Sequence, residues 1–392
     1  MASTPTAGTP FDLTPEQEEI RRVCRDFAAR EIRPISAAVD EADVETPWEI
    51  FHKAAALGLT SFMLPEDLGG GGMTDVLTGC VVQEELCHGC SGIGNLITSG
   101  GFFAEPVLAL GTDAQKERWV RPLAGETPPM TALATTEPNA GSDAASIQTT
   151  ARRVDGGYVL DGQKTWISNG GVAELYVVFA TVQRGSGHRG ITAFLLHRDD
   201  EGLSFGQPMR KMGQRGIVNA EVFLSGVRVP VENRLGDEGI GFKIAMAGLD
   251  GGRLNIAACS LGGAQSALDK SLAYMKERKA FGKRLDEFQA LQFRLADMAT
   301  DLEAARTFVW RAAAALDRKD ADATMLCAMA KRFGTDVGFE VANQALQLHG
   351  GYGYLSEYGI EKIVRDLRVH QILEGTNEIM RLIVSRKLIE GA

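Results

Sequence analysis

One glutamate near the C-terminal end of the chain, Glu374, lies at a predicted junction between two helices and is followed directly by glycine. Helices often end with a left-handed glycine just beyond the cap, so Gly375 predicts a break in the backbone. Thr376 or Asn377 can cap the next helix, whose apolar positions begin at Ile379. Burial there, beside the negative end of a helix dipole, favours the protonated carboxyl and raises its pKa. The segment predicts a general base at Glu374, although a solvated glutamate at a helix end fits it too.

Two further segments carry groups that suit a flavin. Residues 134–143 offer the hydroxyls of Thr135 and Thr136 with exposed backbone amides, and residues 164–170 present Trp166 beside a hydroxyl. An isoalloxazine ring requires hydrogen bonds at its N5 and O2 edges and a flat apolar wall over one face. Each segment alone is weak evidence, because a tryptophan also fits an ordinary core and the threonines fit an ordinary strand.

Composition limits the classes of protein that the chain can represent. With 392 residues, 44% hydrophobic and 23% charged, the chain can bury sizeable cores in two or three subdomains. A net charge of -10 and a pI near 5.3 argue against nucleic acid or an anionic membrane as the main partner. The polar stretch at positions 1–10 lacks signal-peptide features, and no continuous run of 18 apolar residues occurs. We therefore expect a soluble, cytoplasmic protein without membrane insertion.

The cysteines and glycines supply tempting motifs that their context disfavours. Six scattered cysteines are too few for a disulfide framework and are expected to be reduced. Cys87-His88-Gly89-Cys90 has the spacing of half a metal site, but no second pair accompanies it, so we expect no metal. Residues 185–190 satisfy GxGxxG, yet β-type runs flank them on both sides, which indicates a β-hairpin loop rather than a Rossmann nicotinamide site.

Hydrophobic periodicity divides the chain into three regions, with domain boundaries expected at 1–125, 126–235 and 236–392. The first region is helical, with predicted helices at 15–31, 47–57, 75–89 and 113–121. The second favours a small antiparallel sheet or barrel, with predicted strands at 157–160, 164–168, 175–182, 191–196 and 220–224. The third carries long apolar stripes typical of an antiparallel four-helix bundle.

Taken together and in order, five separated motifs resemble the acyl-CoA dehydrogenase family over nearly the whole chain. They occupy residues 136–143, 162–170, 277–282, 347–353 and 374–376. The resemblance implies a mainly α fold with a central β domain: a helical N-terminal domain, a β-barrel middle domain and a C-terminal four-helix bundle.

The resemblance also implies FAD as the cofactor and a homotetramer, a dimer of dimers, as the assembly. Residues that would line the flavin from one subunit are Thr135, Thr136, Ser142, Trp166 and Ser168. Residues that would reach the FAD of a neighbouring subunit are Arg278, Phe281, Gln289, Gln347 and Gly351. Further cofactor-binding positions implied are Leu133, Ile167, Phe288, Leu348, Gly350, Thr376 and Glu378.

For the substrate, the resemblance implies an acyl-CoA thioester. Asp250 and Arg253, one helical turn apart, would contact CoA, with Ser142 near the pantetheine and Gly375 also at the substrate. Glu374 would remove the α-proton while the β-hydride passes to flavin N5. The backbone N–H of Glu374 and a ribityl hydroxyl would stabilise the developing enolate. An electron-transferring flavoprotein would then reoxidise the flavin.

Within the family, the segments around residues 251–262, 343–347 and 368–374 look most like isobutyryl-CoA dehydrogenases of valine breakdown. Some relatives carry the base just before the arginine that corresponds to Arg253, and that position here is Gly252, which strengthens Glu374 as the base. Trp166 departs from the isobutyryl subgroup, so the substrate is less secure than the reaction.

Several alternatives stay open at this point. Butyryl-CoA or 2-methylbutyryl-CoA dehydrogenase, a flavin oxidase on the same fold, and a non-catalytic interaction protein remain. The floor of the acyl pocket is not defined by the sequence, and Phe102, Phe103 and Leu373 are its candidates.

Overall fold

The computed structural model describes residues 13–390, so the polar stretch at positions 1–10 lies outside the described residues. The N-terminal region is helical and consists of α1 (Pro15–Phe27), α2 (Ser36–Ala42), α3 (Trp48–Ala56), α4 (Val76–Gly89), α5 (Ser91–Thr98), α6 (Gly100–Leu110) and α7 (Asp113–Trp119). Helix α1 begins where the sequence predicts, because Thr14 and Gln17 form a capping box ahead of Pro15. The helix expected at 15–31 is interrupted by a π-helical turn at Ala28–Ile32.

Helices α5 and α6 are missing from the sequence prediction. Glycines and Pro106 lower the helix propensity of this stretch, and the apolar residues leave no clear polar face. A β-carbon at Gly94 would lie 2.6 Å from Cys87 Sγ, so glycine lets α5 pack closely on α4. By length and composition alone, Ser91–Leu110 could cross a membrane, but half of its most apolar 18-residue window is buried inside the protein.

The central region is a sheet of β1 (Thr131–Ala134), β2 (Thr150–Val154), β3 (Gly157–Ser168), β4 (Leu175–Thr181), β5 (Ile191–His197), β6 (Leu203–Phe205), β7 (Asn219–Pro230) and β8 (Arg234–Leu235). The strand order is β6-β7-β3-β2-β4-β5-β8, and β1 pairs with β4. Strand β1 pairs with β4 in parallel, and β2 adds a single parallel residue pair with β4, so the sheet is mixed. The sequence predicts an antiparallel sheet or barrel instead. The GxGxxG segment connects the antiparallel β4 and β5, which confirms its assignment as a hairpin loop.

The sheet packs on two apolar cores, which explains why β4 and β5 are buried on both faces. Tyr176, Val178 and Phe194 join one cluster to which β1, β2, β3 and β7 also contribute. Val177 and Phe179 point the other way, into a second cluster shared with α6 and α7. The alternation follows from the period of two in a strand. This second core fixes α6 against the sheet.

The C-terminal region is a helical bundle made of α8 (Gly241–Glu277), α9 (Gln289–Asp317), α10 (Ala323–His349), α11 (Ile360–Arg368) and α12 (Asn377–Glu390), with a small hairpin of β9 (Lys279–Ala280) and β10 (Lys283–Arg284). Its core contains Leu254, Met298, Leu302 and Val341, which belong to the predicted apolar stripes. The helical, β and helical order of the predicted fold is therefore confirmed.

Candidate active site

Glu374 lies at a sharp corner between α11 and α12. A 3-10 turn at Val369–Gln371 follows α11, and both Glu374 (φ 54°) and Gly375 (φ 87°) are left-handed. Thr376 Oγ1 accepts a hydrogen bond from Ile379 N at 3.3 Å and so caps α12, as the sequence predicts. The sequence does not predict the left-handed glutamate, a conformation that costs roughly 1–3 kcal/mol unless its surroundings impose it.

The Glu374 carboxyl faces a helix surface without side chains. A β-carbon at Gly252 of α8 would lie 2.7 Å from Glu374 Oε2 and 3.0 Å from Phe102 Cε1. Gly251 and Gly252 follow Gly248 by three and four residues on α8, so all three lie near one another on the helix surface, and we call them the glycine face. Oε2 is buried and has no hydrogen-bond partner among residues 13–390.

Burial raises the pKa of Glu374, and the positive charges of Arg253 and Lys331 oppose that rise. The direction and its main cause, desolvation by burial, agree with the sequence prediction, but the second predicted cause, the helix dipole, does not apply. Two residues and a 3-10 turn separate Glu374 from the end of α11, so the expected helix dipole is not adjacent. A carboxylate with a raised pKa and no hydrogen-bond partner at Oε2 suits proton abstraction.

Lys331, which the sequence prediction overlooks, holds this corner from α10. Its side chain is fully buried, and Nζ donates hydrogen bonds to Gly375 O at 2.8 Å and to Asn377 Oδ1 at 2.9 Å. Burial lowers its pKa to about 8. A lone lysine on an otherwise apolar helix face was the sequence signal that could have revealed it.

Asp250 and Arg253 form a buried ion pair on α8. Arg253 Nη1 lies 2.5 Å from Asp250 Oδ1, and Thr324 Oγ1 donates to Asp250 Oδ2 at 2.6 Å. Both charged side chains are buried within the protein. The pair therefore places a cation one residue beyond Gly252, within electrostatic range of Glu374.

Trp166 stands out from the sheet at a β-bulge. The register between β3 and β7 shifts between Lys164 and Ile167, and Trp166 is left-handed (φ 55°) and 62% exposed. Asn219 Nδ2 fixes the bulge by donating to Trp166 O at 3.0 Å and to Ser168 Oγ at 3.3 Å. A strained, exposed tryptophan presents the flat apolar surface that an isoalloxazine ring requires.

Residues Thr135 and Thr136, whose hydroxyls are predicted to face the flavin, lie beside this bulge. Thr165 N donates to Thr136 O at 2.9 Å, so the threonines that follow β1 meet β3 one residue before Trp166. Glu137 and Lys164 form a buried ion pair of 2.8 Å, and Lys164 Nζ also donates to Thr135 O at 3.1 Å. Leu133 lies in β1 and is half-buried. Ser142 is exposed in the turn that follows.

One short segment joins the tryptophan bulge to the base. Asn169 Nδ2 donates to Ser99 Oγ at 3.2 Å, and three residues later Phe102 faces Gly252 and Glu374. Phe102 therefore borders the space over the glycine face, whereas Phe103, the other pocket candidate, is 1% exposed and belongs to the core. The start of α6 thus connects the proposed flavin wall with Glu374.

Several other predicted cofactor residues gather at the opposite end of α8, around the β9–β10 hairpin. Phe281 and Gly282 form a two-residue turn with positive φ at both positions, and Phe281 is 96% exposed. Arg278 lies over the ring of Tyr352 at 5.0 Å. We call this exposed group the hairpin end; its other members are Phe288, Gln289, Gln347, Gly350 and Gly351.

Four further predicted cofactor residues have side chains that the protein itself already engages. Ile167 is 3% exposed in the core of the sheet, and Leu348 is 5% exposed in the bundle core, so only their backbones are available to a ligand. Thr376 uses its hydroxyl to cap α12. Glu378 is exposed and lies 3.4 Å from Arg381.

The comparisons with known proteins agree along the whole chain. Family models match at residues 14–127 (Acyl-CoA dehydrogenase, N-terminal domain), 132–227 (Acyl-CoA dehydrogenase, middle domain) and 239–389 (Acyl-CoA dehydrogenase, C-terminal domain). The chain is 43% identical over 378 residues to the mitochondrial isobutyryl-CoA dehydrogenase of Bos taurus, covering 96% of this chain and 90% of that protein.

Two further relatives widen the range of chemistry. The caffeyl-CoA reductase-Etf complex subunit CarC of Acetobacterium woodii is 39% identical, over 96% of this chain and 98% of that protein. The structure of butyryl-CoA dehydrogenase from Megasphaera elsdenii superposes with a TM-score of 0.93 at 38% identity, covering 97% of this chain and 100% of that one. The chain belongs to the acyl-CoA dehydrogenase family. It is an acyl-CoA dehydrogenase with FAD as its cofactor.

Proposed function

We propose that the chain dehydrogenates a short, branched acyl-CoA of the isobutyryl type to its 2-enoyl-CoA, with Glu374 as the base. The observation that carries the role of Glu374 is its buried Oε2, which faces the glycine face without a hydrogen-bond partner. A thioester seated over Gly252 would place its α-carbon against that oxygen. The isobutyryl preference rests on the 43% identity to the bovine enzyme, and the substrate fits valine breakdown.

Different residues of this chain have different roles in the proposed reaction. Glu374 takes the α-proton, and its backbone N–H, which has no acceptor among the described residues, donates to the thioester oxygen where negative charge develops. Trp166, Thr136 and Ser168 orient the flavin, and Phe102 limits the access of water to the base. Bound FAD supplies the acceptor for the β-hydride.

An electron-transferring flavoprotein is the proposed acceptor of the electrons, since a relative is named as part of a complex with Etf. The test is a panel of saturated acyl-CoA thioesters, straight and α-branched, assayed with an electron-transferring flavoprotein, an artificial dye or dioxygen alone. We expect turnover of isobutyryl-CoA with the flavoprotein and the dye but not with dioxygen. Preference for butyryl-CoA or 2-methylbutyryl-CoA would identify a different short-chain acyl-CoA as the substrate of the same reaction. Full activity with dioxygen alone would indicate an oxidase.

We further propose that the FAD site is completed by a neighbouring subunit. Arg278 lies 26 residues beyond Gly252 along α8, about 39 Å at 1.5 Å per residue, so one FAD cannot touch both Arg278 and the Glu374 corner of the same chain. A second copy would also bury the exposed Phe281. Apolar residues on the outer face of the bundle, including Phe293 (60% exposed) and Leu388 (57% exposed), support a homotetramer.

Lys331→Met should shift the pH dependence of the reaction. The lysine charge holds down the pKa of Glu374, so its removal raises that pKa. Because the base must be ionised, activity should then be lost at a higher pH on the acid side. Loss of the two buried hydrogen bonds should also reduce the free energy of unfolding by about 1–3 kcal/mol. The measurements are a pH profile of kcat and a urea unfolding curve.

Lys270→Met is the matched control, since Lys270 is a half-buried lysine of the bundle that contacts Tyr358 O instead of the Glu374 corner. It should leave the acid limb of the profile in place. If Lys331→Met lowers stability while the acid limb stays where it is, Lys331 has a structural role only.

A further inference from the structure

A second carboxyl, that of Glu105 on α6, faces the same glycine face as Glu374. A β-carbon at Gly248 would lie 3.5 Å from Glu105 Oε2, and one at Gly251 would lie 4.0 Å from both carboxyl oxygens. Gly248 precedes Gly252 by four residues, or about 6 Å along the helix. Glu105 and Glu374 therefore border the same space, about one helical turn apart, and the unpartnered Oε2 of Glu374 marks this space as a ligand site.

Glu105 differs from its acidic neighbours in lacking a cation. Asp250 pairs with Arg253, and Glu374 lies in the field of Arg253 and Lys331, whereas the Glu105 side chain has no ion pair or hydrogen bond within residues 13–390. Burial, together with the charges of Glu374 and Asp250, raises the pKa of Glu105 to about 7. The Glu105 residue as a whole is nevertheless exposed to solvent, so it lines an open space instead of filling the core.

A hydrocarbon chain long enough to reach Glu105, unlike the short isobutyryl group, would be a poor occupant of the Glu105 end of this space. It would remove water from the Glu105 carboxyl without offering a hydrogen bond, and a buried polar group left without a partner weakens binding. A hydroxyl on the acyl chain would instead donate to the carboxyl. Phe102 and the glycine face supply the apolar contacts for the rest of the chain.

We propose that Glu105 is a specificity-determining residue that accepts a hydrogen bond from a hydroxyl group on the acyl chain of the substrate. This inference rests on the proposed function, because it places the α-carbon at Glu374. The spacing of one helical turn suits a hydroxyl on the fourth carbon. The reaction itself is unchanged: the α-proton goes to Glu374, the β-hydride goes to FAD, a 4-hydroxy-2-enoyl thioester forms, and the hydroxyl is retained.

The test compares 4-hydroxybutyryl-CoA with pentanoyl-CoA, which differ only in a terminal hydroxyl or methyl group. The FAD-loaded wild-type protein should show the higher kcat/KM with 4-hydroxybutyryl-CoA. In Glu105→Leu the ratio of the two kcat/KM values should fall about ten- to hundredfold, as expected when a hydrogen bond to a charged group is lost. Glu105→Gln retains an acceptor oxygen and should give an intermediate ratio.

Flavin content reports the folding of each variant, and the isosteric Gln variant decides the result if the Leu variant does not fold. A wild-type preference for pentanoyl-CoA, or a ratio unchanged in both variants, would overturn the role of Glu105. Isobutyryl-CoA distinguishes failure of the Glu105 role from failure of the proposed dehydrogenase function. If it reduces the flavin while the hydroxyl preference is absent, only this inference fails; if no saturated acyl-CoA reduces the flavin, the proposed function fails.

Discussion

Replacement of Glu374 by glutamine should leave the protein folded and loaded with FAD while flavin reduction by isobutyryl-CoA slows by about two to four orders of magnitude. The amide has the shape of the carboxyl but cannot accept the α-proton. The corner should survive, because Lys331 bonds the backbone of Gly375 and the side chain of Asn377, not the Glu374 side chain. The measurement is anaerobic stopped-flow absorbance of the flavin after mixing with substrate.

Glu357→Gln provides the matched control, since Glu357 is exposed in the loop between α10 and α11. It should reduce its flavin at the wild-type rate. Rapid flavin reduction in Glu374→Gln would eliminate Glu374 as the base while leaving the family assignment intact.

The same carboxyl sets the pH dependence of the wild-type enzyme. Burial raises the pKa of Glu374 above that of an ordinary glutamate, so the base becomes protonated, and the activity is lost, at a higher pH as the solution is acidified. Because the shift favours the neutral form, the acid limb belongs above pH 4.5, the usual value for the group. An acid limb at or below that value would show that the carboxyl is solvated during the reaction.

Replacement of Arg278 by alanine should remove most of the FAD and weaken the proposed tetramer. The guanidinium is exposed at the hairpin end and is held over Tyr352 by a cation–π contact at 5.0 Å. Charge-assisted hydrogen bonds from an arginine to a pyrophosphate across a subunit boundary cannot be replaced by a methyl group. We expect the flavin content of the purified variant to fall to about a tenth or less, with a concentration-dependent loss of tetramer in sedimentation.

Arg318→Ala is the control, because Arg318 is also exposed but lies at the end of α9 that is distant from the hairpin end, paired with Asp320. It should keep both flavin and assembly. A monomeric Arg278→Ala protein that retains one FAD per chain would show that the cofactor is bound within one subunit.

Much of this architecture is encoded in local sequence patterns. Pro15 at the start of α1, the glycine after Glu374 and the apolar stripes of α8, α9 and α10 each predict their element because they act over a few residues. Helices α5 and α6 have no such local pattern and are not predicted. Gly94 is needed where α5 approaches Cys87, and such a tertiary contact leaves no periodic signal in the sequence.

Some residues of the candidate site are predictable from local sequence, and others depend on tertiary contacts. Glu374, Trp166 and Thr136 could be chosen from residue type and from the order of the motifs. The left-handed conformations of Glu374 and Trp166 could not, because the surrounding fold imposes them. Lys331 and Glu105 were missed because their importance depends on what packs against them: the carbonyl of Gly375 for one, and the glycine face for the other.

The most direct test of the central claim is an anaerobic titration of the FAD-loaded wild-type protein with isobutyryl-CoA, followed by flavin absorbance and by analysis of the thioester product. We expect the oxidised flavin spectrum to be lost as substrate is added and the 2-enoyl-CoA to appear in equal amount. A flavin that stays oxidised with isobutyryl-CoA and with every other saturated acyl-CoA thioester would contradict it.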